Sequence, residues 1–226
     1  MLGDEQMKAV IFDMYETLIT EYRDIKYFSY MMAEDLGVNK DLFAKIWTLS
    51  EKDRSIGKIT FEEIIRTIMK ACNCNNEEGY NLVVKKRYET KRSCFKHLHK
   101  DLIPMLNELK KRNIKIGLIS NCFSEEVKVI SESLLYPYFD VPVLSYESKL
   151  YKPDPEIYKE CLKKLKLSPD KCIYVGDGGH NELQGAESLG MTALQAGWYL
   201  KEFRKDNYKI KGFPCLENPM DIINYL

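Results

Sequence analysis

A doubly wound, Rossmann-like parallel α/β sheet with a helical insertion behind its first strand is the fold class this sequence predicts, on three observations. Residues 8–13 form a short apolar run that ends in a carboxylate, Asp13, as a parallel strand covered on both faces does. From there to about residue 96 the pattern is helical periodicity with no convincing strand. From Asp101 onward, helix and strand patterns alternate, which is the rhythm of a parallel sheet with crossover helices.

The helical segment holds four amphipathic candidates, over 22–36, 40–52, 60–72 and 77–92, separated by Gly37-Val38-Asn39, Ser55-Ile56-Gly57 and Asn73-Cys74-Asn75-Asn76. Thr60 opens the third with Glu63 three residues on, a capping-box spacing. Four such helices on short turns make a small bundle, expected as a lid over the carboxyl edge of the sheet. Beyond it the sequence predicts helices over 102–112, 125–135, 155–165, 182–189 and 220–226, and strands over 115–120, 141–145, 172–176 and 192–195. The expected division is an α/β core of 1–18 and 97–226 with a cap of 19–96.

Composition frames what such a chain does. Its 226 residues are 45% apolar and 30% charged, enough for one α/β domain of ordinary size plus an insertion. The 34 basic side chains balance the 34 acidic ones, so no general attraction to nucleic acid or anionic membrane arises, and neither partner is expected. Seven cysteines are scattered along the chain, and only Cys72 and Cys74 are close, too close for zinc-knuckle spacing; reduced thiols are expected. Residues 1–7 are polar and acidic, unlike a secretory signal. No apolar run has membrane-spanning length, and the cytoplasm is the expected location.

Chemistry-bearing residues recur at the predicted strand ends. Open α/β sheets hold ligands at those carboxyl ends, and right-handed crossovers would gather them around one edge. Asp13 and Thr17 follow the first strand, Ser120-Asn121 the second, and Asp177 lies in Gly176-Asp177-Gly178-Gly179 after a later one. Lys152 sits in Tyr151-Lys152-Pro153-Asp154-Pro155, just before a helix. Each alone has a plain structural meaning, as a turn cap, a solvated charge or a helix start. Their coincidence at one edge points to a site.

In this order the motifs resemble those of the haloacid dehalogenase-like hydrolase superfamily, over almost the whole chain. Asp13 and Thr17 stand in its first motif, Ser120 in the second, Lys152 within Lys-Pro-Asp-Pro-Glu-Ile-Tyr in the third, and Asp177 within Gly-Asp-Gly-Gly-His-Asn-Glu-Leu-Gln-Gly-Ala in the fourth. The resemblance implies that Asp13 is a nucleophile, that Ser120 and Lys152 bind the transferring group, and that Asp177 holds magnesium. It also implies that the insertion is the cap of the first structural subclass.

Physical chemistry supports such roles. A carboxylate attacking phosphorus forms an acyl phosphate and splits one hard displacement into two, but it brings anion to anion. Mg2+ held by Asp13, the Tyr15 carbonyl and Asp177 would neutralise that charge. Lys152 would add a compact positive charge, and Thr17 and Ser120, with Asn121 beside them, would bind the substrate oxygens. Gly178 and Gly179 let backbone amides approach an anion. The expected activity is magnesium-dependent hydrolysis of a small phosphorylated metabolite through an aspartyl-phosphate.

Two departures keep alternatives open. Most phosphatases of the superfamily carry a second aspartate where this chain has Tyr15, and a phenol of reference pKa about 10 donates a proton at pH 7 but is a poor base. Glu16 stands in place of the usual glycine. Tyr15, and Tyr158 six residues past Lys152, are similar to the 2-haloacid dehalogenases, which attack carbon without a metal. Against that branch, Gly176-Asp177-Gly178 resembles the magnesium-holding fourth motif, and Trp47-Thr48 lacks the cap arginine that follows a tryptophan there. Asn181, where the family often has another acid, is expected to orient metal-bound water. His180 is read as a solvent-facing helix start, and His97 and His99 as a solvated hinge. A metal-independent dehalogenase using Asp13, Lys152 and Tyr158 is one alternative; a binding or regulatory protein that turns over slowly because of Tyr15 is the other.

Overall fold

The computed structural model describes residues 7–23, 26–204 and 207–226. Six parallel strands form one sheet: β1 (Ala9–Phe12), β2 (Lys115–Ser120), β3 (Val141–Leu144), β4 (Cys172–Gly176), β5 (Thr192–Ala196) and β6 (Cys215–Leu216), in the order β3-β2-β1-β4-β5-β6. This is the doubly wound order, in which the crevice opens at the carboxyl ends where the winding reverses, beside β1. Every residue of β1 is buried, because it pairs with β2 on one side and β4 on the other and is covered on both faces.

Alternation along β1 feeds two separate cores. Val10 and Phe12 pack on one face with Leu102, Met105, Leu106 and Leu109 of α6 (Leu102–Lys111), and with Val129 and Ile130 of α7 (Ser124–Ser131). Ala9 and Ile11 pack on the other with Ile157, Tyr158 and Cys161 of α9 (Pro155–Leu165), and with Leu183 and Ala186 of α10 (Glu182–Ser188). Two short helices, α8 (Ser145–Ser148) and α11 (Leu200–Phe203), follow β3 and β5.

Residues 29–93 carry the helical segment: α1 (Ser29–Leu36), α2 (Lys40–Leu49), α3 (Glu51–Ser55), α4 (Phe61–Ala71) and α5 (Glu77–Ser93). They close over an apolar cluster of their own that includes Met32, Leu36, Phe43, Phe61, Ile65, Ile68 and Val83. The capping box at Thr60 and Glu63 is formed, with the Thr60 hydroxyl accepting from the Glu63 amide at 3.1 Å and the Thr60 amide donating to the Glu63 carboxylate at 2.8 Å.

Several elements differ from the sequence expectation. The helix expected over 40–52 is interrupted at Ser50, whose hydroxyl donates back to the Trp47 carbonyl at 2.9 Å; a serine side chain competes in this way with the helical backbone. The first helix begins at Ser29 rather than at residue 22, and residues 24–25 of that span lie outside the described ones, as do residues 1–6 with the leader reading. The closing segment is a 3-10 helix, Pro219–Tyr225, and β6, α8 and α11 were not foreseen. Among the described residues, no helix is long and apolar enough to cross a membrane.

Candidate active site

Asp13 stands one residue past β1, its amide donating to the Val175 carbonyl of β4 at 2.9 Å, and it is buried. Lys152 reaches it from the turn before α9: Nζ donates to Asp13 Oδ1 at 2.5 Å, to Glu182 Oε2 at 2.5 Å and to the Tyr174 hydroxyl at 3.2 Å. Tyr174 in turn donates to Glu182 Oε2 at 2.7 Å. Asp177 follows β4, and carboxylate oxygens of Asp13, Asp177 and Glu182 all lie within 4.8 Å of one another.

Glu182 is the residue that sequence reasoning missed. The acid was sought at position 181, but Asn181 is exposed, and Glu182 is the side chain that turns inward. Local backbone is the cause. His180 and Asn181 both adopt left-handed conformations, with φ of 52° and 55°, so the chain turns sharply just before α10 opens at Glu182. Gly176 makes room, since a Cβ there would come within 2.0 Å of Glu182 Oε1. Gly178, with φ of 97°, donates its amide to Glu182 Oε1 at 3.1 Å, a conformation glycine adopts without strain. An acid opening a helix five positions after Asp177 was the available signal. His180 itself is exposed and packs edge-on against Tyr151.

The other predicted residues fall into distinct environments. Thr17 and Ser120 are fully buried; Thr17 Oγ1 has no hydrogen-bond partner among the described residues, and Ser120 Oγ reaches only the Asn121 carbonyl at 3.5 Å. Asn121 grips the backbone of Lys152, accepting from its amide at 2.8 Å and donating to its carbonyl at 3.1 Å; its geometry positions the lysine. Tyr15 turns toward a different neighbourhood, with Lys91 Nζ 4.8 Å from its ring centre and its hydroxyl buried without a partner among the described residues. Glu16, at φ 57°, is occupied locally by the Thr20 hydroxyl at 2.5 Å and the Glu21 amide at 2.9 Å. Tyr158 donates to the Glu182 carbonyl at 3.0 Å and packs against Tyr174.

Electrostatics express the crowding of acids. Burial raises the Asp13 carboxyl well above its ordinary value; Lys152 opposes that rise, while Glu182 and Asp177 add to it. Asp177 is pushed up to about 6 by burial and then by Glu182. Burial works against the Lys152 ammonium, but Asp13 and Glu182 outweigh it and keep the lysine charged. Burial, with Glu126 and Glu21 nearby, holds the Tyr15 phenol protonated far above neutrality. Three carboxylates against one ammonium leave the cluster short of positive charge, a deficit that a bound cation or proton retention relieves. The donors are all oxygen, the set that suits a hard divalent ion.

Comparison with known proteins agrees with this architecture. The chain is 35% identical over 117 residues to the Rhythmically expressed gene 2 protein of Drosophila melanogaster, covering 48% of this chain and 45% of that one. It is 23% identical over 205 residues to a glyceraldehyde 3-phosphate phosphatase of Methanopyrus kandleri, covering 84% and 83%. A solved 2-haloacid dehalogenase of Pseudomonas syringae superposes with a TM-score of 0.68 at 19% identity over 97% of each chain, a likeness of fold. The matched stretches span about half the length of several of the curated relatives. A family model described as haloacid dehalogenase-like hydrolase matches residues 7–190, a span that runs from β1 through α10 and takes in the carboxyl ends of β1, β2, β3 and β4. The chain therefore belongs to the haloacid dehalogenase-like hydrolases.

Proposed function

We propose that this hydrolase is a magnesium-dependent phosphatase of small phosphorylated metabolites, working through an aspartyl-phosphate on Asp13 with residues 19–96 as its cap. The observation that carries this reading is the approach of Asp13, Asp177 and Glu182 within 4.8 Å, beside a single buried ammonium. Those carboxylates and the Tyr15 carbonyl would hold Mg2+, which when bound supplies charge neutralisation between the nucleophile and the phosphate. The relation to a glyceraldehyde 3-phosphate phosphatase supports phosphate esters as the substrate class.

The chain's own residues divide the remaining work. A carboxylate oxygen of Asp13 forms the new bond to phosphorus as the bond to the leaving alkoxide breaks. Lys152, fixed at its backbone by Asn121, orients Asp13 and presents its charge to the equatorial oxygens. Thr17 brings a buried hydroxyl with no partner among the described residues, and Ser120 one that makes only a long contact of 3.5 Å to the Asn121 carbonyl. The Tyr15 phenol stays protonated at neutral pH and its hydroxyl is buried beside Lys91, so it cannot act as a base to activate water, and the leaving alkoxide takes its proton from solvent water. In the second step a water oxygen bonds to phosphorus as the bond to the Asp13 oxygen breaks, and the water's proton passes to the phosphate or to solvent. That step lacks a positioned carboxylate base and is the slow one.

The substrate is then a small molecule rather than nucleic acid or membrane, and the cytoplasm suits seven cysteines that form no disulfide among the described residues. In the dehalogenase alternative, Tyr158 would face the substrate, yet its hydroxyl is committed to the Glu182 carbonyl.

A panel of phosphate esters assayed with Mg2+ and with chelator, beside Asp13→Asn, tests the proposal. Magnesium-dependent turnover, a pre-steady-state burst of alcohol and complete loss in Asp13→Asn are expected. Turnover retained by Asp13→Asn overturns the covalent mechanism. Chelator-insensitive turnover of 2-haloacids moves the chain to the dehalogenase branch, and tight binding with negligible hydrolysis across the panel marks a regulatory protein.

A further inference from the structure

A cleft of about 390 Å³ lies between the helical segment and the loops that follow β1 and β2, and the phosphate chemistry leaves its residues unused. Glu51 and Arg54 of α3, Arg87 and Lys91 of α5, Glu21 and Phe123 line it. Two of the three cations are already neutralised: Arg87 pairs with Glu125 at 2.9 Å, and Lys91 pairs with Glu126 at 2.6 Å and with Glu21.

Arg54 is different. It is 2% exposed, and its guanidinium lies between two aromatic rings, 3.7 Å from the centre of Trp47 and 4.2 Å from that of Phe123. Nε donates to Ser50 Oγ at 3.1 Å and Nη2 to the Trp47 carbonyl at 3.1 Å, while Nη1 is buried with no partner among the described residues. Both faces and one edge of the fork are thus fixed, and the remaining nitrogen is bare. Leaving a charged donor buried without an acceptor is costly, and burial already pulls this guanidinium down to about 10. An anion delivered from outside the chain supplies what is missing.

The cleft is bordered by the same loops, after β1 and β2, that carry the reacting residues. Phe123 lies three positions past Ser120, and the ring of Tyr15, two positions past Asp13, lies under Lys91. The Ser145 hydroxyl ties the two parts together, donating to the Ser55 carbonyl at 2.8 Å and accepting from the Cys122 amide at 2.9 Å. That link holds α3 over the loop after β2.

We propose that Arg54 is a specificity-determining residue that receives a carboxylate at the non-reacting end of the substrate, so that the preferred substrate is a small phosphate ester that also carries a carboxylate. This rests on the phosphatase reading and names its substrate class. A carboxylate fits better than a second phosphate because Glu21 and Glu51 line the same cleft and Glu125, Glu126 and Glu51 already act on the Arg54 charge, so an acceptor of one negative charge meets less repulsion than one of two. The aromatic sandwich pre-sets the plane of the fork, so little ordering is lost when the anion binds.

The test uses the full-length protein with Mg2+ and three phosphate esters of matched length, ending in a carboxylate, a primary amide or a second phosphate. The carboxylate ester is expected to exceed the amide ester in kcat/KM by about 10- to 100-fold, the size of a charge-assisted hydrogen bond, expressed mainly in KM. Arg54→Gln should bring that ratio close to one, and Arg54→Lys, which keeps the charge without the planar fork, should leave it intermediate. Equal rates for the two esters in the wild-type protein overturn the inference without any variant, as does a full preference retained by Arg54→Gln. A diphosphate ester that outcompetes the carboxylate ester overturns the assigned anion. If no ester is hydrolysed, the phosphatase reading falls and this inference with it; turnover of the amide ester without preference removes this inference alone.

Discussion

Thr17 shows how a single atom separates a structural role from a functional one. Its hydroxyl is fully buried and unpartnered among the described residues, and a buried donor left without an acceptor costs about 1–3 kcal/mol. If that hydroxyl waits for a phosphate oxygen, Thr17→Val should raise the melting temperature while lowering kcat/KM by about tenfold or more. Thermal melts and kinetics on the same preparation check both halves, and unchanged kinetics would remove Thr17 from the site. The meeting of Asp13, Lys152 and Asp177 was legible in the sequence, because strand ends in a doubly wound sheet converge on one edge. Glu182 was not, because its inward turn depends on two non-glycine residues in left-handed backbone, a choice that no local propensity announces. The surroundings of Tyr15 were equally hidden, since Lys91 and Glu126 reach it from helices far along the chain.

Between elements, a buried electrostatic tie joins the helical segment to the sheet's covering layer. Arg87 and Lys91 of α5 meet Glu125 and Glu126 of α7 in a buried set of ion pairs, all four side chains at most 10% exposed. Removing one partner from such a set leaves a charge uncompensated and typically costs about 3–5 kcal/mol, whereas removing both is close to neutral. Arg87→Met should therefore destabilise by that amount in urea melts, and the Arg87→Met/Glu125→Met double variant should recover most of it. A single variant within about 0.5 kcal/mol of wild type would mean that α5 and α7 hold together without the ion pairs. The helices themselves were readable where a local rule governs them, as at the Thr60–Glu63 capping box. They were unreadable where a side chain overrides periodicity, as at Ser50, or where two residues suffice for a strand, as in β6. The segment Pro219–Tyr225 kept a helical pattern yet wound as a 3-10 helix, a difference of hydrogen-bond register that apolar spacing over seven residues does not resolve.

At the scale of the whole molecule, metal binding, protonation and folding stability are one linked equilibrium. Asp177 holds its proton to about 6, pushed there by burial and by Glu182, and Asp13 is raised as well. An acid whose pKa is higher folded than unfolded binds its proton more tightly in the native state. For Asp177 that contribution is full below about 4 and fades as pH rises through about 6, so this group makes the metal-free protein less stable toward neutrality. On the proposed reading Mg2+ would take the same carboxylates only after their protons leave, and it would find no such site in the unfolded chain. The rise in melting temperature produced by Mg2+ should therefore be small at pH 5 and grow through pH 6 to 8. At a hundredfold excess over Kd, binding contributes about 2.7 kcal/mol, or roughly 5–10 °C for a chain of this length. Differential scanning calorimetry with Mg2+ or chelator across that pH range reads the shift directly, and Asp177→Asn should flatten it by removing both the proton and a ligand. A magnesium shift that is the same at pH 5 and pH 8 would mean that Asp177 is ionised before the ion arrives, and that the deficit of positive charge at the end of β1 is met by some other means.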